Sequence, residues 1–261
     1  MVAVSHKLRR ASERLRTALL DFAFPPTCPI CRAAVADDSE SVVTFCESCR
    51  GQLTHTILHA CDICGAPVGQ YVDSSNGCME CGLGKKHYRR VIRLGLYNGV
   101  LRKACIKAKD DHQEPLMASL GRLLVEDQAD HFFDPRPDVL IPLPQHWSSR
   151  WSSKHNAAEI LARVLGKMLQ LKVDPNLLGR SRKTKPQKRT ESIAARKENQ
   201  RDSFRVTDDA TLKGRRVMLV DDILTTGATA NEAAKCLKRA GADVIGIAVI
   251  ARVLSKQLKN S

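Results

Sequence analysis

The sequence predicts an α/β protein with a doubly wound parallel sheet and a small cysteine-rich module ahead of it. Beyond residue 90, short apolar runs alternate with amphipathic helical patterns, which is typical of βαβ units. Before residue 86, eight of the ten cysteines form four Cys-x-x-Cys pairs. With 261 residues, the chain is long enough for one sizeable core and an accessory module.

Each element follows from its own hydrophobic pattern. A basic amphipathic helix is predicted at the N-terminus, where Leu8, Leu15 and Leu19 share one face, and Pro25 follows its end. Farther along, apolar runs predict strands, and apolar residues three and four apart predict helices. The predicted helices cover residues 5–22, 100–109, 114–130, 157–171 and 230–240, and the predicted strands cover residues 91–97, 138–141, 217–220 and 243–249.

Residues 217–229 are the most informative segment for function. Four apolar residues predict a buried strand, two acids (Asp221 and Asp222) follow it, and a Thr/Gly-rich turn then opens a helix. Ligands of open α/β sheets bind beyond the carboxyl ends of the strands, and a helix N-terminus attracts anions. A phosphate in the turn would leave the two acids facing a pair of hydroxyls, which describes a ribose 5-phosphate. An ordinary N-cap by Asp222 or Thr225 is the simpler alternative, but a cap needs only one polar residue.

The four cysteine pairs predict two structural zinc ions. Two Cys-x-x-Cys pairs supply four thiolates to one tetrahedral ion, so four pairs serve two ions with no open position for a substrate. A disulfide framework is the alternative, but we expect no secretory signal, and a redox Cys-x-x-Cys pair would occur once. His55 and His59 are candidates to replace a thiol, although surface positions suit them better. The eight predicted ligands are Cys28, Cys31, Cys46, Cys49, Cys61, Cys64, Cys78 and Cys81.

Two cysteines lie outside the four pairs, and the chain carries a large positive charge. Cys105 and Cys236 lie among apolar residues of predicted helices, so we expect buried small side chains rather than nucleophiles. The formal charge of +14 favours polyanionic partners. Half of that excess lies in residues 180–205, which we interpret as a mobile arm over a pyrophosphate or as a solvated loop. We expect no membrane span and a cytoplasmic location.

Residues 217–229 resemble the signature of type I phosphoribosyltransferases, whose ligand is phosphoribosyl pyrophosphate. The resemblance implies that Asp221 and Asp222 hold the ribose 2- and 3-hydroxyls and that Mg²⁺ accompanies the ligand. The residues that it places around the 5-phosphate are Thr225, Thr226, Gly227, Ala228 and Thr229. The same cradle would serve an enzyme or a protein that only binds the ligand.

A zinc-binding head fused to such a body resembles the ComF family, which is linked in bacteria to natural competence. Phe24-Pro25-Pro26-Thr27-Cys28-Pro29-Ile30-Cys31 looks like the opening of that family. The resemblance implies an N-terminal helix over residues 1–24, a double zinc ribbon over 25–86 and a phosphoribosyltransferase-like domain over 87–255. It also implies a set of pyrophosphate and hood-loop residues, namely Lys109, His146, Lys154, Asn156, Thr184 and Gln187.

Three functions remain open from the sequence. The favoured one is a ribose phosphate-binding protein of DNA uptake and processing, with single-stranded DNA and competence or recombination proteins as partners. The second is an active phosphoribosyltransferase of nucleotide metabolism or salvage. The family usually has a basic Arg-Gly-Phe-Asn-Gln type run before Asn156, where this chain has Trp151-Ser152-Ser153-Lys154-His155, and that argues against turnover. The third is a non-catalytic scaffold, which the complete Thr/Gly turn argues against.

Overall fold

The structure is a computed structural model that describes residues 27–35, 45–54, 59–81, 85–110, 112–145, 156–181, 203–207 and 212–258. The predicted N-terminal helix, His55 and most of the basic segment 180–205 lie outside these residues. The chain divides into two compact units, Met1–Gly51 and Gln52–Ser261. The division into domains at residues 24 and 86 stays a prediction.

The described helices and strands alternate along most of the chain. The helices are α1 (Glu47–Leu53), α2 (Gly99–Lys107), α3 (Glu114–Gln128), α4 (Ala157–Leu169), α5 (Ala228–Arg239) and α6 (Ser255–Leu258). The strands are β1 (Arg90–Leu96), β2 (Val139–Pro142), β3 (Lys172–Val173), β4 (Leu178–Arg180), β5 (Phe204–Val206), β6 (Arg216–Leu224) and β7 (Asp243–Arg252). Short 3-10 turns lie at Met79–Cys81 and Ala129–Phe132.

Five strands form one sheet in the order β1-β7-β6-β2-β3, and each neighbouring pair is parallel. This confirms the predicted parallel sheet. The interior strand β7 is buried along its whole length after Asp243, as expected for a parallel strand covered on both faces. On one face, Ala230, Ala233 and Leu237 of α5 pack into a core with Val217 and Leu219 of β6. Helices α3 and α4 pack against each other, and α4 also packs against β2 and β6.

The predicted end of the β6 strand at Val220 is wrong. The strand continues to Leu224 because Asp221, Ile223 and Leu224 pair with β7, which itself runs to Arg252 rather than Val249. Asp221 keeps its place in the ladder opposite Val249, so its polar side chain does not end the strand. Both acids therefore lie in the second half of the central strand β6, which spans Arg216–Leu224.

Candidate functional site

Asp221 and Asp222 form an acid pair near the carboxyl end of β6. Both side chains are half-buried, and the main-chain N–H of Asp222 donates a hydrogen bond to Oδ1 of Asp221 at 2.9 Å. Burial raises the pKa of Asp221 well above its ordinary value, and the negative charge of Asp222 raises it further. The folded chain thus concentrates acidic groups at a point where a cation or hydroxyl groups would stabilise them.

Lys109, just beyond α2, is the first cation beside this pair. Its Nζ lies 2.6 Å from Oδ2 of Asp222. Desolvation opposes the charged form of Lys109, but attraction to Asp222 and Asp221 outweighs it and raises the pKa of Lys109. The sequence predicted Lys109 as a pyrophosphate contact, and the structure brings it to the acids.

Arg180 is a second cation near the acid pair and was not among the predicted site residues. It is half-buried at the end of β4. Its Nε donates to the carbonyl of Pro144 at 2.9 Å, and its guanidinium carbon lies 4.9 Å from the ring centroid of Phe204. Desolvation lowers the pKa of Arg180, and the charge of Asp221 opposes that shift. Nothing in the sequence around Arg180 indicates that it lies near Asp221, because its contacts come from segments that are distant along the chain.

The Thr/Gly turn connects the acid pair to α5. Thr225 and Thr226 are exposed, and Oγ1 of Thr226 accepts a hydrogen bond from the main-chain N–H of Ala228 at 3.3 Å. Gly227 is the N-cap of α5, with a φ of 73° that favours glycine. A Cβ at this position would lie 3.2 Å from the hydroxyl oxygen of Tyr88, so a larger residue would have to displace that side chain as well as adopt the left-handed φ.

The helix therefore begins at Ala228, two residues before the predicted start. The simpler alternative, a cap by Asp222 or Thr225, is not what the structure shows, because Gly227 is the N-cap residue. Among the described residues, the Gly227 cap supplies no side-chain hydrogen bond to α5, and Oγ1 of Thr226 accepts from the N–H of Ala228 in its first turn. Exposed threonine side chains next to such a turn suit a phosphate.

Asn156 is the other predicted pyrophosphate-site residue that the structure describes. Its Oδ1 accepts a hydrogen bond from the N–H of Ala158 at 3.1 Å, and its Nδ2 donates to Glu159 at 3.2 Å. Asn156 thereby caps α4. A contact between Asn156 and a ligand stays a prediction, and His146, Lys154, Thr184 and Gln187 lie outside the described residues.

The eight paired cysteines gather into two clusters of four. In each cluster, all four sulfur atoms lie within 4.8 Å of one another. The Sγ atoms of Cys61 and Cys81 are 3.6 Å apart, as are those of Cys64 and Cys78. Four sulfurs around a tetrahedral zinc ion lie about 3.8 Å apart, since each Zn–S bond is about 2.3 Å. A disulfide needs about 2.05 Å, so the geometry fits two structural zinc sites and not a disulfide framework. The clusters are Cys28, Cys31, Cys46 and Cys49, and Cys61, Cys64, Cys78 and Cys81.

The two clusters share one knuckle geometry. The N–H of Cys28 donates to Ala33, and the N–H of Cys61 donates to Ala66, both at 2.8 Å. Left-handed backbone follows each second cysteine, at Arg32 (φ 63°) and at Gly65 (φ 69°). The cysteine-rich segment thus contains a repeated structural unit. His59 is exposed and lies outside both clusters, in accord with its expected surface position.

Two thiols of the first cluster differ in how readily they ionise. Burial opposes ionisation of Cys28, but backbone hydrogen bonds, chiefly from Cys31, lower its pKa to about 6. Burial raises the pKa of Cys49, and hydrogen bonding to the other sulfurs raises it further. A cation at the cluster would favour the thiolate form of Cys49, because metal ligands must be deprotonated.

The two remaining cysteines do not form a reactive site. Cys105 is buried as predicted, and desolvation together with the charge of Asp222 raises its pKa to about 12. Cys236 is half-buried at the edge of the core rather than fully buried.

A cavity of about 640 Å³ lies away from the acid pair, between β1, the end of α3 and the second cysteine cluster. Its lining includes Arg93, Asp127 and His131.

Comparison with known proteins agrees with both parts of this description. Residues 157–261 match the family profile of the phosphoribosyl transferase domain, and residues 19–82 match that of the double zinc ribbon domain. The DNA utilization protein YhgH of Salmonella typhi is 27% identical over 234 residues, which cover 88% of this chain and 98% of the relative. Competence protein F of Haemophilus influenzae is 27% identical over 212 residues, which cover 80% of this chain and 90% of the relative.

Over most of its length the chain is homologous to proteins of the ComF family, and it carries a phosphoribosyl transferase domain and a double zinc ribbon domain. Competence protein ComFC of Bacillus subtilis is a further relative, 25% identical over 205 residues that cover 75% of this chain and 78% of that protein. The family and the fold class predicted from sequence, a type I phosphoribosyltransferase-like sheet with a zinc-ribbon module, are thereby confirmed. Within the part of the chain that the structure covers, no helix combines the length and apolar character that a bilayer crossing requires.

Proposed function

We propose that this ComF-family protein binds phosphoribosyl pyrophosphate or a related ribose phosphate. The acid pair at the end of β6, followed at once by the Gly227-capped turn, is the observation that supports this most strongly. Asp221 and Asp222 accept the ribose 2- and 3-hydroxyls, and the turn residues 225–229 surround the 5-phosphate. One strand end and one helix N-terminus thus supply both halves of a ribose phosphate site.

The charges around the acid pair support the same ligand. Mg²⁺ binds through one or two carboxylates together with substrate phosphates, and Asp221 and Asp222 are carboxylates of that kind. Such a cation, or hydroxyl groups that donate to the carboxylate, would stabilise the charged form of Asp221 and lower its raised pKa. Lys109 neutralises Asp222 without ligand and lies close enough to turn toward a diphosphate.

We propose further that the protein acts in DNA uptake and processing during natural transformation, in the cytoplasm and with single-stranded DNA as partner. The names of the relatives, a DNA utilization protein and two competence proteins, support this role. The formal charge of +14 supports a polyanionic partner, although aromatic residues at 4% provide few stacking platforms. Competence or recombination proteins are further proposed partners.

One observation favours the second candidate, an active phosphoribosyltransferase. Lys109 and Arg180 both interact with the acid pair, and cations at this place stabilise charge that develops on a departing diphosphate. A scaffold with an idle pocket is less well supported, since the unfavourable burial of Asp221 serves no purpose without a ligand.

Two measurements on the full chain separate these functions. Turnover is measured as pyrophosphate release from phosphoribosyl pyrophosphate in the presence of a panel of bases. We expect the ligand to bind whether or not pyrophosphate is released. A salt titration of single-stranded DNA binding should give a slope near −0.7 for each phosphate contact. Replacing Lys183, Lys185, Lys188 and Arg189 by Ala should flatten that slope by about two to three units.

These four residues lie outside the described part of the chain, so their choice rests on sequence alone. Replacement of exposed basic residues elsewhere, Lys213 with Arg216, is the matched control. A slope that the fourfold variant leaves unchanged would place the DNA site outside residues 180–205. Absence of any DNA binding at low salt would contradict the direct DNA role.

A further inference from the structure

Arg252, the last residue of β7, is a buried arginine with an unusual set of acceptors. Its side chain is only 3% exposed. Nη1 donates to the carbonyls of Leu224 and Thr225, and Nη2 donates to the carbonyl of Glu80 at 3.2 Å. Leu224 ends β6 and Thr225 begins the phosphate turn, whereas Glu80 lies between Cys78 and Cys81 of the second cluster. One guanidinium therefore joins the turn to a zinc ribbon.

Neighbouring contacts fix the same junction from the ribbon side. The carboxylate of Glu80 accepts hydrogen bonds from both the N–H and the hydroxyl of Ser255, each at 2.8 Å. Leu254, two residues beyond Arg252, packs against the second cluster, and Ile63 packs against both that cluster and the main core. The segment that leaves β7 is thus held on the ribbon.

The chain that leaves the ribbon is bonded to the first turn of α5. The side chain of Asn231 accepts from the N–H of His87 at 2.8 Å and donates to the carbonyl of Lys85 at 3.1 Å. Tyr88 follows directly and lies against Gly227. The phosphate turn is therefore attached to the ribbon at its beginning, through Arg252, and just after its end, through Asn231.

We infer that the second cysteine cluster, Cys61, Cys64, Cys78 and Cys81, braces the phosphate turn and that Arg252 is the positioning residue that transmits its state. Metal at this cluster holds the Glu80 carbonyl in place, and Arg252 then holds the carbonyls of Leu224 and Thr225. Metal loss frees Glu80, removes an acceptor of Arg252 and lets the turn move. By linkage, a ligand in the turn makes the cluster retain its metal longer.

The first cluster provides the internal contrast. Its four cysteines belong to the compact unit Met1–Gly51, whereas the second cluster, Arg252 and the turn all belong to Gln52–Ser261. The two ribbons share a geometry but have separate roles, because only the second is bonded to the turn through described contacts. Only the ligand arm of the inference, the coupling between ligand binding and metal binding, rests on the proposed ribose phosphate function.

Hydrogen–deuterium exchange of the full-length zinc-loaded protein tests the brace without a ligand. Cys78→Ser and Arg252→Met should each raise exchange at residues 225–230 by roughly tenfold or more, since the turn loses its restraint. Cys46→Ser in the first cluster and Arg216→Lys, an exposed arginine on the same sheet, should leave it within about twofold. Exchange of β7 reports whether each variant stays folded, and Arg252→Lys replaces Arg252→Met if it does not.

The double variant Cys78→Ser/Arg252→Met decides whether Arg252 carries the coupling. If it does, the two effects on turn exchange do not add, because either change alone breaks the same connection. Additive effects, unchanged turn exchange in Cys78→Ser, or an equal rise in Cys46→Ser would overturn the inference.

The ligand arm uses phosphoribosyl pyrophosphate with Mg²⁺. We expect Arg252→Lys to weaken its binding about tenfold and the ligand to slow zinc release from the second cluster in wild-type protein. Binding that is intact in wild-type protein and in Arg252→Lys would contradict the inference alone. Wild-type protein that does not bind the ligand would contradict the proposed function, and the exchange arm would still decide whether the brace exists.

Discussion

At the scale of single residues, Asp221 is a carboxyl group whose surroundings disfavour its charged form. It is half-buried beside Asp222, and burial and that second charge both raise its pKa well above the ordinary value. Lys109 balances Asp222 by direct contact at 2.6 Å, and its effect on Asp221 is weaker. A protein that keeps such a carboxylate without a bound cation gives up stability for a binding site.

Asp221→Asn should therefore stabilise the ligand-free protein at neutral pH. The folded-state pKa of Asp221 lies above the unfolded value, so its contribution to stability is full below the unfolded pKa and is lost as the pH rises through the folded pKa. Removing the charge should raise the melting temperature at pH 7 by about 2–4 °C, the shift that about 1 kcal/mol produces at this size. The gain should shrink as the pH falls and vanish below about pH 4, where the carboxyl group is mostly protonated in both states.

Asp138→Asn is the control with the opposite sign. Hydrogen bonds from Arg216 lower the pKa of Asp138, so this variant should not stabilise the protein at pH 7 and should lose stability relative to wild type above about pH 4. Melting curves of the three proteins between pH 4 and pH 8 give the comparison. A lower melting temperature for Asp221→Asn at neutral pH would contradict the account of the acid pair.

At the scale of elements, the two zinc knuckles have different residues at the same left-handed position of the backbone. Both require left-handed backbone after the second cysteine, where the first knuckle has Arg32 and the second has Gly65. A Cβ at Gly65 would lie 3.2 Å from Nε of Arg93, a buried arginine that donates to the Gly65 carbonyl. The second knuckle is thus restricted by its neighbours as well as by its φ.

Gly65→Ala should destabilise the second ribbon by about 1–2 kcal/mol, since a left-handed non-glycine residue costs about that much. Zinc release to a chromogenic chelator should become correspondingly faster for one of the two ions. Arg32→Gly, at the equivalent position of the first knuckle, should not accelerate release. Equal behaviour of the two variants would mean that the knuckles do not differ as described.

The sequence predicted these elements unevenly, for physical reasons. Long periodic segments such as α4 and β7 were predicted within a few residues, because their pattern depends on burial alone. The two- and three-residue strands β3, β4 and β5 were not predicted, since so few residues show no period. The acids and turn residues of the site follow one another along the chain, so their pattern was visible. The contacts of Arg180 and Arg252 join distant segments, and no local pattern indicates them.

At the scale of the whole molecule, the two metal clusters differ in the compact unit to which each belongs. The second cluster lies in the same compact unit as the sheet and is bonded to it through Arg252 and Glu80. The first cluster lies in a small unit of its own with few residues to form a core. The first unit therefore depends on its metal for folding more than the second does.

Reduced, purified protein should contain two equivalents of zinc. Cys46→Ser and Cys78→Ser should each lower the content to about one, because each cluster binds its own ion. Strong chelation should unfold the cysteine-rich module before the sheet, which circular dichroism and metal analysis follow together. Less than one equivalent in wild-type protein would contradict the assignment of the clusters.

Calorimetric titration with phosphoribosyl pyrophosphate and Mg²⁺ tests the central claim most directly, because it measures the ligand on the acid pair and the turn. Wild-type protein should bind, and Asp221→Asn/Asp222→Asn should lose binding while keeping its fold. Each substitution removes the negative charge and turns one of the two acceptor oxygens into an NH2 donor, with little change in volume. Asp138→Asn, which alters an exposed acid at the opposite end of the sheet, should bind like wild type. Equal affinity in wild type and the double variant would show that the acid pair at the end of β6 does not hold a ribose phosphate.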